Sequence, residues 1–268
     1  MRKILIIIGL IFRLAAPAAA QESPLVPLQT LQDSRGWDAV GRLDIAGKGF
    51  CTAALIRDNL ILTAAHCLFD TDGSLIAAER FSFQAGFRSG RAEATRSVRR
   101  TVPHPDYNFA DGTTDPAAVA VDIGVLELSR PIRTTRIQPF ETTAHPITGD
   151  RVRVVSYGRG REDAPSLQEV CAVLGRQTGV IVMTCDVVYG SSGAPVFMDV
   201  NGQTRIVSVV SAMAQVNGQN VSLGTSLRRP LIQLLDHYQD ENVAGAGANQ
   251  RLIGTGTRHD TGAKFVSP

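Results

Sequence analysis

The sequence predicts an all-β protein, and two observations carry that prediction. Short runs of β-type apolar residues recur along the chain, separated by Gly, Pro, Asn and Asp. Against them, a single stretch near the C-terminus has the spacing of a long helix. Many short strands at close spacing favour barrels or sandwiches over βαβ units.

Residues 1–20 read as a targeting segment rather than as structure. Arg2 and Lys3 form a basic start, and Ile4 to Phe12 is apolar but too short to span a bilayer comfortably. Ala18, Ala19 and Ala20 supply small residues for cleavage, so a signal peptide ending at Ala20 is expected. The competing reading is a membrane anchor or a disordered leader. Residues 21–36 form an N-terminal extension or propeptide, with Arg35 a point at which it would be cut.

Beyond it, Ala39 to Ile45 alternates and runs into the turn Gly47-Lys48-Gly49. Thr52 to Ile56 and Leu60 to Thr63 flank the turn residues Arg57-Asp58-Asn59. Gly124 to Leu128, Val152 to Val155, Val180 to Thr184, Pro195 to Met198 and Ile206 to Val210 continue the series. A short helical turn is expected after His66. Ser226 to Tyr238 is the long helix, with Leu227, Leu231, Leu234 and Leu235 on one face and Pro230 in the first turn, where proline is tolerated. From residue 243 to 268 the composition falls to Gly, Ala, Thr and polar residues, which reads as a flexible tail. The Pro- and Thr-rich stretch from Arg130 to Gly149 divides the rest into two units, 37–135 and 136–242.

Composition bounds the function classes. The hydrophobic fraction of 44% is ample for a core, and a net charge of +2 is too small to argue for nucleic acid. Arg88, Arg91, Arg96, Arg99 and Arg100 form the one basic cluster, read as a solvated loop or strand face. No stretch after the N-terminal segment is long and apolar enough to span a membrane, so a soluble mature chain is expected. Four cysteines in an exported chain read as two disulfides. Three pairings are possible. Cys51 with Cys67 and Cys171 with Cys185 is the expected one, because each encloses a short local loop. The spacings do not suit a zinc site, and neither metal nor cofactor is expected.

Three segments carry chemistry. Thr63-Ala64-Ala65-His66-Cys67 offers a histidine base, Val121-Asp122-Ile123-Gly124 an acid in an apolar run, and Gly190-Ser191-Ser192-Gly193-Ala194-Pro195 a serine between glycines. A serine hydroxyl is a weak nucleophile until a base takes its proton, and histidine suits that task near neutrality. A buried carboxylate then fixes the imidazole. On this reading Ser192 is the nucleophile, His66 the base and Asp122 the orienter, and the N–H groups of Gly190 and Ser192 form an oxyanion hole. Each residue alone has a plain structural reading, as a core histidine, a capping aspartate or a turn serine. Their joint occurrence, in this order, favours catalysis.

These motifs resemble those of the trypsin-like (chymotrypsin-fold) serine proteases, and more closely the bacterial secreted branch that includes the glutamyl endopeptidases. The histidine signature matches across Leu62 to Cys67, and Cys51 stands where the family places the partner of Cys67. Asp122 to Leu126 resembles the family's aspartate segment, and Pro103-His104-Pro105-Asp106-Tyr107 a stretch common upstream of it. The serine motif matches as Gly-x-Ser-Gly-x-Pro, and the resemblance runs from about Trp37 to Tyr238. It implies two antiparallel six-stranded β-barrels with the active site between them and a C-terminal helix. It further implies an endopeptidase that cuts peptide or protein substrates through an acyl-enzyme on Ser192; with the leader and the cysteines, a secreted or periplasmic monomer is expected. The alternative is a weak or inactive relative that binds peptides through the same fold. An α/β-hydrolase is excluded, since Ala194 stands where its Gly-x-Ser-x-Gly elbow needs glycine and its chain order is Ser, Asp, His.

The chain departs from the family at several points. Ser191 stands where the digestive members carry an aspartate that pairs with a new N-terminal ammonium, and Asp33 to Asp38 lacks their Ile-Val-Gly-Gly start. No such activation switch is expected. Asp186, six residues before Ser192, stands where the pattern places the base of the S1 pocket, which implies Arg or Lys at P1. Val188 replaces the usual pocket cysteine, however, and Cys185-Asp186 pairs also occur in relatives that do not cut at basic residues, so P1 stays open. Ser211-Ala212-Met213 supplies the other wall of the pocket, without the histidine of a glutamyl-specific member. Tyr189, beside Gly190, narrows the cleft.

Overall fold

The computed structural model describes residues 22–111, 115–143 and 146–253. The expected signal peptide and the last part of the expected tail, 254–268, lie outside them.

The first barrel is built from β2 (Val40–Ile45), β3 (Gly49–Arg57), β4 (Leu60–Thr63), β5 (Phe81–Ala85), β6 (Ala94–Pro103) and β7 (Gly124–Leu128). Its order is β2-β3-β4-β7-β6-β5, and pairing of β2 with β5 closes it. Alternation explains the inward set. In β5, Phe81 and Phe83 are buried while Ser82 and Gln84 face outward. β4 is buried along its whole length, as its unbroken apolar run requires.

The second sheet holds β1 (Leu25–Pro27), β8 (Arg151–Gly158), β9 (Arg161–Gln177), β10 (Val180–Met183), β11 (Pro195–Val200), β12 (Gln203–Val216) and β13 (Gln219–Ser226). β8 pairs with both β11 and β9, so six strands return on themselves, and β1 adds to β9 as a seventh. The two-barrel architecture expected from the motifs is therefore present. The extension at 21–36 contributes that added strand, through antiparallel pairs such as Val26 with Leu167.

The two units share packing. Phe197 of β11 lies in the same apolar cluster as Leu43 and Leu55, and its ring meets Trp37 at 5.0 Å and Phe140 at 4.6 Å. Both disulfides form as expected, Cys51–Cys67 inside the first barrel and Cys171–Cys185 inside the second.

The structure differs from the sequence reading in its helices, in five strands and at one arginine of the basic cluster. The short helix α1 (Pro116–Val119) precedes the long helix α2, which spans Arg228–Ile253. α2 thus runs well past Tyr238 and through the first part of the expected tail. Residues 243–253 lack proline, so their backbone continues the helical hydrogen bonding despite their glycines. β1, β5, β6, β9 and β13 were not read from the sequence; β9, for instance, opens on Arg161-Glu162-Asp163. Of the basic cluster, Arg96, Arg99 and Arg100 do lie on a strand, β6, but Arg88 is buried and ion-pairs with Asp38 and Glu93. No helix among the described residues is long and apolar enough to cross a membrane.

Candidate active site

His66 lies in a 3₁₀ turn, Ala65–Leu68, directly after β4. The next residue, Cys67, is tied by its disulfide to Cys51 of β3, which anchors the turn to the barrel wall. Asp122 arrives just before β7, after α1, whose N-terminus is capped by Asp115 accepting from Ala117 N–H at 2.8 Å.

Asp122 is buried, and each of its oxygens is engaged. Oδ1 accepts from the His66 backbone N–H at 2.9 Å. Oδ2 meets His66 Nδ1 at 2.7 Å and accepts from Ser211 Oγ at 2.5 Å. A carboxylate only accepts, so Nδ1 carries the proton and Nε2 is left with the lone pair of a base. Two elements of one barrel and one strand of the other therefore fix the imidazole.

Ser192 lies in the turn before β11. That turn is pinned to the first barrel, because Thr52 N–H donates to Ser192 C=O at 2.8 Å and Thr52 Oγ1 donates to Gly190 C=O at 2.9 Å. Gly193, at φ +79°, is required there. A Cβ would stand 2.0 Å from Thr63 Oγ1 and 2.3 Å from Thr52 C=O. Arg159 N–H donates to Tyr189 C=O at 2.7 Å, and since the peptide is trans, Gly190 N–H turns away from Arg159. Among the described residues neither Gly190 N–H nor Ser192 N–H donates to a protein acceptor. Two free donors flank the serine, which is what binding of an oxyanion needs.

His66 and Ser192 line one cleft of about 360 Å³. No hydrogen bond joins their side chains here, and catalytic bonds of this kind often close only when substrate is bound. Val187, Val188, Tyr189, Val210, Ser211, Ala212 and Met213 complete the lining, which is mainly apolar. Tyr189 is 66% exposed at its rim, with the Arg159 guanidinium 4.7 Å from the ring centre.

The structure does not bring Asp186 into this cleft. Asp186 is exposed, its N–H is held by Gln168 Oε1 at 2.7 Å, and it lines a larger cavity of about 900 Å³ beside the first. Val187 and Met213 are common to both spaces, and Glu22 to Leu25 form part of the larger one. Ser211, expected only as a pocket wall, also binds Asp122. That bond spans 89 positions, so no local pattern announces it.

Residues 30–226 match the family model described as Trypsin. The chain is 24% identical over 197 residues to the glutamyl endopeptidase of Bacillus licheniformis, covering 72% of this chain and 60% of that protein. It is 33% identical over 122 residues to mast cell protease 3 of Ovis aries, covering 45% of this chain and 44% of the relative. The matched stretch thus spans about half the length of these relatives. A solved Glu endopeptidase in complex with MPD aligns at a TM-score of 0.65 and 20% identity, covering 82% of this chain and 98% of that one. That likeness speaks for the fold.

Proposed function

The chain belongs to the trypsin family, and from that premise we propose that it is a serine endopeptidase with Ser192 as nucleophile, His66 as base and Asp122 as orienter. The observation that carries the reading is the pair His66 and Ser192 in one cleft, with His66 Nδ1 bound to a buried Asp122. Ser192 Oγ attacks the scissile carbonyl while His66 Nε2 takes its proton. The oxyanion that forms is met by Gly190 and Ser192 N–H. Collapse expels the amine, which takes the proton back from His66 and leaves an ester on Ser192. Water, deprotonated by His66, then adds to that ester and releases the acid.

At P1 the apolar lining of the cleft favours an uncharged side chain. One observation keeps a second reading, cleavage after Arg or Lys: Asp186 lines the cavity beyond Val187 and Met213, where a long basic chain would end. Two disulfides fit an oxidising compartment, so a secreted or periplasmic location is proposed with the activity.

A fluorophosphonate probe and a peptide library test the reading together. Wild type is labelled and Ser192→Ala is not. Folded wild type that resists labelling points instead to a peptide-binding relative. Cleavage after apolar residues, unchanged in Asp186→Ser, supports the uncharged P1. Cleavage after Lys or Arg that Asp186→Ser abolishes overturns it.

A further inference from the structure

We propose that Arg161 is a positioning residue for the oxyanion-hole loop, holding Ser191 from inside the fold where relatives use an inserted terminal ammonium. The proposal rests on the reading of Gly190 and Ser192 N–H as the oxyanion hole. Ser191 is fully buried between these two residues. Its hydroxyl donates to Tyr157 C=O at 3.0 Å and accepts from Val188 N–H at 3.2 Å and from Arg161 Nη2 at 3.0 Å. One hydrogen and two lone pairs are thereby all used, so the side chain is locked in one rotamer.

Arg161 sits at the first position of β9, in the hairpin that pairs it with Gly158 of β8. The guanidinium folds back under the nucleophile turn. Nη1 donates to Ser156 C=O, and Nη2 donates to Ser156 Oγ at 2.8 Å as well as to Ser191. Gly158 makes the space: a Cβ there would stand 2.6 Å from the Val188 side chain and 3.0 Å from Arg161 Cζ. Burial lowers the pKa of Arg161, and the carboxylates of Asp186 and Glu162 oppose that shift. An arginine stays charged under such a load where a lysine would give up its proton more readily. Its planar fork also bridges two partners at fixed spacing, here Ser156 and Ser191.

The consequence is a loop whose geometry is complete without any terminal amine. Ser191 is the chain neighbour of both Gly190 and Ser192. A cation that fixes its hydroxyl therefore limits how far the two donors can turn. Losing one such donor outright costs about 10²- to 10³-fold in kcat, and loosening both costs a large part of that.

The test compares wild type with Arg161→Met, Arg161→Lys and Ser191→Ala. Peptide hydrolysis and inhibition by a peptide aldehyde, whose adduct places an oxyanion in the hole, are the readouts. In Arg161→Met, kcat is expected to fall about 10- to 100-fold, with KM changed less than about threefold. Affinity for the aldehyde is expected to fall in step with kcat, which a general loss of packing would not produce. Arg161→Lys recovers part of the loss, and a millimolar guanidinium salt recovers part of it in Arg161→Met. Adding Ser191→Ala to Arg161→Met costs less than the two single losses combined, because both act on one contact. The proposal is overturned if folded Arg161→Met keeps kcat within twofold, or if kcat falls while aldehyde affinity holds. Should Arg161→Met not fold, the same two criteria apply to Ser191→Ala. Wild type that is inert to the fluorophosphonate would defeat the proposed function itself, whereas labelled wild type isolates the role of Arg161.

Discussion

At Asp122 three donors converge on two oxygens, and two of them, His66 Nδ1 and Ser211 Oγ, share Oδ2. The shared oxygen ties the imidazole of one barrel to a strand of the other. Replacing the carboxylate by an amide keeps the shape but reverses the donor pattern at one atom, which favours the wrong imidazole tautomer. Asp122→Asn is therefore expected to lower kcat by about 10⁴-fold with little change in KM. Ser211→Ala leaves both His66 contacts in place and removes one donor, so a loss of about tenfold is expected. Steady-state kinetics on the two variants checks both, and equal losses would show that Ser211 does more than steady the carboxylate. His66 and Ser192 were legible in the sequence because each carries its context with it, a cysteine or a set of glycines. The bond of Ser211 to Asp122 and the place of Arg161 under Ser191 were not, because a serine in a strand or an arginine after a turn looks the same whether or not it meets a partner.

At the scale of elements, strands with a clean apolar run, such as Leu60–Thr63, were read to the residue. β6 carries charged residues on its outer face and shows no such run, and its contacts with β7 show what those charges do. Glu127 of β7 is buried among Arg99 and Arg100 of β6 and accepts from Asn59 at 3.2 Å. Arg100 continues outward to helix α2, where its guanidinium lies 4.1 Å from the Tyr238 ring centre and donates to Tyr238 C=O at 3.1 Å. Burial pushes the Glu127 carboxyl up. The hydrogen bonds from Arg99 and Tyr238 and the charges of both arginines outweigh it and hold the group below the ordinary glutamate value. A lowered folded pKa means that Glu127 stabilises the fold above the ordinary carboxylate range. That contribution is lost as pH falls through the folded value. Glu127→Gln is thus expected to cost about 1–3 kcal/mol at neutral pH and far less in acid. Denaturant unfolding at the two pH values measures the difference, and a cost independent of pH would mean that shape rather than charge matters.

Across the whole molecule, the segment before the first barrel links the two units. β1 pairs with β9 of the second barrel, and Leu28 is buried just after it. Thr30 and Asp33 then close a reciprocal turn, and Arg136 reaches Leu31 C=O at 3.0 Å and Asp38 at 2.8 Å on the side of the first barrel. A chain begun at Gly36 loses the added strand and the buried leucine, together worth about 2–4 kcal/mol. Its melting temperature is expected to fall on the order of 10 °C, while its folded fraction still reacts with a fluorophosphonate. Thermal unfolding of the two forms decides it, and an unchanged midpoint would show that the segment only rests on the surface.

What is legible in the sequence and what is not follows from the range of the forces involved. Periodicity, turn residues and the reactive motifs act over a few neighbouring positions, so the sequence by itself determined the β class, the long C-terminal helix and the disulfide loops. It also determined the three reactive residues as candidates. Only the tertiary structure decided that Ser211 steadies Asp122, that Asp186 stands outside the cleft of Ser192, and that Arg161 lies beneath Ser191. Each of those joins polar groups carried by different strands or turns. A polar side chain finds its partner through the closing of sheets, and the spacing of its neighbours in the chain holds no record of which one it will meet.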